Sequence, residues 1–258
     1  MTNASESSAK ICIDPSWNSL LKAGGISSIL AGLCLILSQV FLADLNSLFS
    51  GFFASSIMSN SVITVPQKLA FVESHSNLYY GWYISGDALA ALFGLPALLA
   101  LLIVLSRVDK GFALIGSALG FASIGIILSN VSNQFYLINE AFVFDSGCTV
   151  CASQAITGAT ATYSAYTAEM FASLILTVAE IILSIVILKG MIFNRSLGFL
   201  GLGSALVGLV IAFFNSNYYI SFLPTLVLAA WLLAVGYSLV RLPPARTIKS
   251  SPLTDVSQ

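Results

Sequence analysis

Apolar residues in this chain come in long runs, not in the one-sided or alternating patterns of a soluble fold. A bilayer core of roughly 30 Å needs about 20 mostly apolar residues in helix. Six stretches meet that demand, at residues 23–43, 84–106, 111–130, 170–190, 197–214 and 220–240. The pattern therefore predicts an all-α, six-helix transmembrane bundle: one membrane domain over 23–241, with short tails at 1–22 and 242–258. The first run is too long for the core of a signal peptide and no small-residue cleavage site follows it, so it is read as a retained helix.

Two longer segments, roughly 44–83 and 131–169, separate the spans on one side. Both are read as loops. Within the first, Leu48 to Phe53 with Ile57 and Met58 is apolar but too short to span, which suggests an interfacial or re-entrant stretch across 46–58. The run Tyr79-Tyr80-Gly81-Trp82-Tyr83 reads as an aromatic anchor at headgroup level. In the second, Ala152 to Tyr166 is small and Thr-rich, fitting a helix across the bundle mouth or an extension of the fourth span.

Charge now sets the direction. The chain has ten basic and eleven acidic residues, 8% charged against 57% apolar. A soluble domain carries roughly 25% charged residues, so a soluble enzyme and a basic-patch nucleic-acid binder are excluded. Lys and Arg are retained on the cytoplasmic side. Lys10 and Lys22, Arg107 and Lys110, Lys189 and Arg195, then Arg241, Arg246 and Lys249 all fall on one face of a six-span reading; only Lys68 falls on the other. Both termini are then cytoplasmic and the two long segments external, in a prokaryotic cytoplasmic membrane. The lipid bilayer is the expected partner.

Few residues carry chemistry. Glu180 falls mid-span, where a carboxyl is expensive and usually retained for a reason. At 100° per residue, Glu169, Ser173, Thr177, Glu180 and Ser184 share an arc of about 80°, a polar stripe that must face the bundle interior or water. Lys189, at the basic end of the fourth span, is the one Lys, Arg or His inside these bounds, so Glu180 has no cationic partner at mid-span and is expected to be neutral, donating to a nearby carbonyl or hydroxyl, or else hydrated. The stripe reads either as a proton or cation relay or as polar glue between helices. Glue is favoured, because one midplane carboxylate is little for a pump. Asp87 is expected at the interface or as a helix cap, and Pro96 to kink the second span.

Cys148 and Cys151 form the one Cys-x-x-Cys pair, on the external side, and fit a local disulfide. A redox relay needs a second external pair, which is missing: Cys12 is cytoplasmic and Cys34 is inside the first span. With His75 the sole histidine, no metal centre is expected. No cofactor motif or catalytic motif occurs. Small residues recur every four positions at Gly24-Ser28-Gly32, Gly116-Gly120 and Ser204-Gly208-Ala212, faces suited to close helix packing or to a homo-oligomer.

Ser85-Gly86-Asp87-Ala88-Leu89-Ala90, Leu95 to Leu101, Ser106-Arg107-Val108 and Gly111 to Leu114 resemble bacterial and archaeal six-helix integral membrane proteins of unknown function (domain of unknown function family 4386 and relatives). Phe193 to Gly201 and Trp231 to Leu239 resemble the family's short basic turn and closing helix. The resemblance covers about two-thirds of the chain and implies the six-helix architecture. It brings no activity and no site residues, and the Cys-x-x-Cys segment departs from its pattern. Three readings stand: a non-enzymatic structural or accessory protein, a small secondary transporter or proton/cation-coupled channel using Glu180, and a thiol-redox protein.

Overall fold

A computed structural model describes residues 15–58, 65–145, 151–190, 192–214 and 222–242, with side chains for 16–45, 47–48, 70–135, 167–190, 192–210 and 223–242. All regular structure in it is helical. After a 3₁₀ turn at Pro15–Trp17 come α1 (Asn18–Met58), α2 (Val65–Ser74) and α3 (Ser76–Tyr83). A π-helical turn (Ile84–Leu89) joins α3 to α4 (Ala90–Leu105). Then follow α5 (Lys110–Asp145), α6 (Cys151–Lys189), α7 (Arg195–Phe214) and α8 (Phe222–Val240).

Among the described residues, five helical segments are long and apolar enough to cross a membrane: Asn18–Leu45, Ser76–Leu105, Lys110–Phe135, Thr167–Lys189 and Leu223–Val240. The remaining predicted span, 197–214, corresponds to α7, apolar but shorter over Arg195–Val210. By length and composition these apolar helices fit a multi-pass membrane protein.

The helices form a ring in chain order. α1 packs on α4, α4 on α5, α5 on α6, α6 on α7, α7 on α8, and α8 closes on α1. Lipid tails are as apolar as the helices, so association rests on close van der Waals fit and a few interhelical hydrogen bonds. A Cβ on Gly24 would meet Ala100 Cβ and the Pro96 carbonyl of α4; one on Gly32 would meet the Ala229 carbonyl of α8. Ser28 Oγ donates to Leu232 O of α8 at 2.7 Å, and Ser123 Oγ of α5 donates to Ala172 O of α6 at 2.8 Å. Gly116 admits Leu183 of α6, and Gly120 admits Leu98 of α4. These small faces are used inside the chain. Their pairings run in opposite senses, so neighbours are antiparallel. Lys22, Arg107, Lys110, Lys189, Arg195 and Arg241 consequently gather at one end of the ring. Just inside that end lies the densest core, with Leu101, Val104, Leu105, Val186, Ile187 and Leu239 almost fully enclosed.

At the basic end, Asp109 starts α5. Its Oδ1 accepts the Phe112 N–H at 3.2 Å and its Oδ2 lies 3.3 Å from Lys189 Nζ. The Phe112 amide first, then the Lys189 ammonium, hold the carboxyl below its ordinary range. A group depressed on folding stabilises above its unfolded pKa, and that contribution is lost as pH falls through the folded one. Wild type should therefore lose stability below about pH 4, and Asp109→Asn, which can still cap α5, should show a smaller acid loss in thermal-unfolding scans.

The predicted loops are corrected. Segment 44–83 is largely helical: α1 runs unbroken to Met58, so 46–58 is an extension of the first helix, neither re-entrant nor a separate interfacial stretch. Segment 131–169 is also mostly helix. α5 continues to Asp145, and α6 already begins at Cys151, so Ala152–Tyr166 extends the fourth span. The physical reason is propagation: adding residues to a formed helix avoids the costly nucleus, so polar, Ala-rich sequence follows on from an apolar span. The aromatic run is helical, with Tyr83 buried, Tyr79, Tyr80 and Trp82 half-buried, Trp82 stacked on Tyr83 at 4.7 Å and Tyr80 5.7 Å from Phe135 of α5.

Candidate functional site

The polar stripe of α6 changes character along its length. Ser173 is exposed and Thr177 half-buried; their hydroxyls donate to Met170 O and Ser173 O of their own helix at 2.9 and 2.8 Å. Neither hydroxyl is bonded to an adjacent helix. Glu180 is buried, 5% exposed, and Ser184 is fully enclosed. Glu180 lies nine residues from Lys189, about 14 Å along the axis at 1.5 Å per residue, near half the depth of the ring.

Glu180 stands in the wall between two cavities. One, of about 260 Å³, is lined by Ser173, Thr177, Leu174 and Leu176 of α6, Ser204 and Gly208 of α7, and Pro224, Thr225 and Leu228 of α8. The other, of about 100 Å³, lies in the middle of the ring and is almost wholly apolar, lined by Leu35, Ala97, Ile124, Leu183 and Trp231 among others. Ser204 presents its hydroxyl to the Glu180 carboxyl. The other side of the carboxyl, Oε1, has no hydrogen-bond partner.

Two further polar atoms near Glu180 are in the same condition. Ser184 Oγ and Trp231 Nε1 are buried and unpartnered. Both face Gly201 of α7, where a Cβ would come within 2.5 Å of the Trp231 nitrogen and clash with the serine. Buried polar atoms are nearly always paired; of these three, Glu180 and Trp231 line the apolar cavity and Ser184 lines neither. A small solute carrying a donor or a positive charge would satisfy Glu180 Oε1.

Sequence reading found Glu180 and Ser184 from the stripe but missed Trp231 and Thr225, which arrive from α8. It took Ser204 only as a small packing residue.

Of the two expectations for Asp87, the cap is corrected: it lies within the π turn in the middle of a continuous helical stretch, hydrogen-bonded to Gln134 of α5. Glu169 meets the same glutamine, so the top of the stripe joins a cluster about 16 Å from Glu180 along α6. Cys148 lies outside the described residues. Cys151 opens α6, with its side chain outside the description. Cys34 of α1 is a free thiol. Among the described residues no group of three or more His, Cys, Asp or Glu comes together as a metal centre.

Comparison with protein-family models, curated proteins and solved structures gives no match to this chain.

Proposed function

We propose that this is a six-span membrane protein of the prokaryotic cytoplasmic membrane, both termini inside, acting as a small proton- or cation-coupled transporter through Glu180. The observation that carries this reading is Glu180 in the wall of two cavities with one carboxyl oxygen unpartnered. An ionisable residue at mid-depth next to open space is the usual mark of an ion or substrate path. Ser173 and Thr177 bond within α6 and not across to neighbouring helices, while Glu180 and Glu169 are the stripe residues bonded across, to Ser204 and Gln134. The collection of basic side chains at one end supports the topology.

In this reading α7 is the sixth span, and the path enters between α6, α7 and α8. The Glu180 carboxyl takes up a proton or a small cationic solute from the polar cavity. The apolar cavity at the ring centre admits the solute's hydrocarbon part. Release of the proton, or departure of the cationic solute, leaves Glu180 as a free carboxylate and resets the site.

Proteoliposomes holding a pH-sensitive dye test it. Under an imposed membrane potential, wild-type vesicles should acidify or alkalinise faster than empty ones, and Glu180→Gln should fall to the empty-vesicle rate while Glu180→Asp retains part of the flux. Wild-type vesicles that leak no faster than empty ones to protons, sodium or small organic amines would overturn the proposal, as would a Glu180→Gln protein with wild-type flux.

A further inference from the structure

The apolar cavity at the centre of the ring exists because one face of α4 is nearly bare. Ala90, Gly94 and Ala97 fall at i, i+4 and i+7, on one side of the helix, and all three line the cavity. Ala179 answers them from α6. From α5, Ile124 rests its Cδ1 against Gly94, where a Cβ would meet it at 3.0 Å. Larger side chains on that face of α4 would close the space, and helix interiors are otherwise close-packed. A void of about 100 Å³, set beside the roughly 150 Å³ cavity that takes up benzene, has room for a compact hydrocarbon group and little more.

Glu180 supplies the other half of a site. Leu176, Glu180 and Leu228 border both cavities, so the partition between them contains two leucines and one carboxyl. Among the described residues that line either cavity, Glu180 is the one ionisable side chain. It is 5% exposed, and its Oε1 is buried without a partner. A buried acceptor with no positive neighbour suits a cationic donor.

The two cavities differ in what they can solvate. On the side of α7, Ser173, Thr177, Ser204 and Thr225 carry hydroxyls. On the central side the wall is hydrocarbon, with the Trp231 side chain and Glu180. A bare metal ion entering there would lose its hydration and gain one carboxyl oxygen in return. A primary ammonium on a short hydrocarbon meets both surfaces. One N–H reaches Glu180 Oε1, the other two face the hydroxyls, and the hydrocarbon lies against Trp231. A quaternary ammonium has no N–H to give, and an anion would meet Glu180 with like charge.

We propose that the two cavities form one binding site for a small primary ammonium compound, its ammonium at Glu180 and its hydrocarbon part, no larger than one benzene ring, in the central cavity. This rests on the reading of Glu180 as the coupling residue and names the class of solute it serves. Ile124, seated on Gly94, sets the size limit.

Equilibrium dialysis of the full chain in detergent, compared with micelles alone, tests this with benzylamine. Binding should be saturable. Benzyl alcohol and benzoate, close in shape without the positive charge, should not compete. Glu180→Gln should bind benzylamine about tenfold more weakly or worse. Naphthylmethylamine, with a second fused ring, should be rejected by wild type and bound about tenfold better by Ile124→Ala, a gain that a misfolded protein cannot show. Absence of saturable benzylamine binding, equal competition by benzyl alcohol, undiminished binding to Glu180→Gln, or an Ile124→Ala protein that still rejects the naphthyl compound would each overturn the proposal. Glu180-dependent proton flux in vesicles with no amine binding would remove this site and leave proton coupling standing. Glu180-dependent amine binding with no flux of any kind would support the site and remove transport.

Discussion

Gly236→Leu should give a chain in which α8 no longer seats on α1, unfolding in detergent far below wild type. The argument rests on backbone. A Cβ at Gly236 would lie 2.5 Å from Gly25 O and 2.9 Å from Ile29 N. A side-chain neighbour could rotate away; these atoms move only if a helix moves. Even Gly236→Ala should destabilise. Alanine gains about 1 kcal/mol in intrinsic helix preference over glycine, but overpacking of this kind costs about 1–3 kcal/mol or more, so the clash wins. Gly125→Ala and Gly203→Ala are the controls, since nothing lies within 4 Å of either new Cβ. They should be neutral or slightly stabilising. If Gly236→Ala melted with the controls, α1 and α8 could not meet as described.

Trp231→Ala should be the most damaging truncation. Trp231 is 3% exposed, belongs to the core of the basic half and borders the central cavity. Tryptophan-to-alanine losses in cores run at about 3–5 kcal/mol. In a bilayer the transfer part shrinks, because the unfolded helix also rests in hydrocarbon, and lost packing around an enlarged cavity dominates. Trp231→Phe separates the ring from its nitrogen. Because Nε1 bonds nothing in the protein, phenylalanine should cost little in stability. If Nε1 serves a solute at Glu180, the same variant should weaken transport. Thermal unfolding and vesicle flux on the two variants read these effects separately; a Phe variant as unstable as the Ala variant would disprove the first.

What the sequence makes legible is what the bilayer imposes. Long apolar runs specify spans, and Lys and Arg mark their basic ends, because both signals are local and strong. Glu180 is legible for the same reason: charge in a span is rare. The helical extensions of α1, α5 and α6 escape, since polar residues that prolong a helix look like polar residues in a loop. The partners of Glu180 escape differently. Trp231 and Thr225 lie on α8, and only the ring closure of α8 onto α1, with α7 between α6 and α8, brings them to α6. Gln134 is least visible of all. It follows the apolar part of α5 as an ordinary uncharged residue, and its meaning comes from Asp87 and Glu169, 47 and 35 positions away.

The π turn at Ile84–Leu89 carries one residue more than an α-helical turn would. Ser85 supports the wider coil, its Oγ donating to Gly81 O at 2.5 Å. One surplus residue is a step of about 100° around the axis. The aromatic face of α3 and the apolar face of α4 are therefore set to different clocks, and the offset between them falls at Asp87. Chain length here is information in its own right. A relative shorter by one residue between Tyr83 and Ala90 could keep every residue type on both sides and still turn its carboxylate away from α5. In comparing this chain with others, an alignment gap at this point would say more about the outer cluster than any substitution beside it.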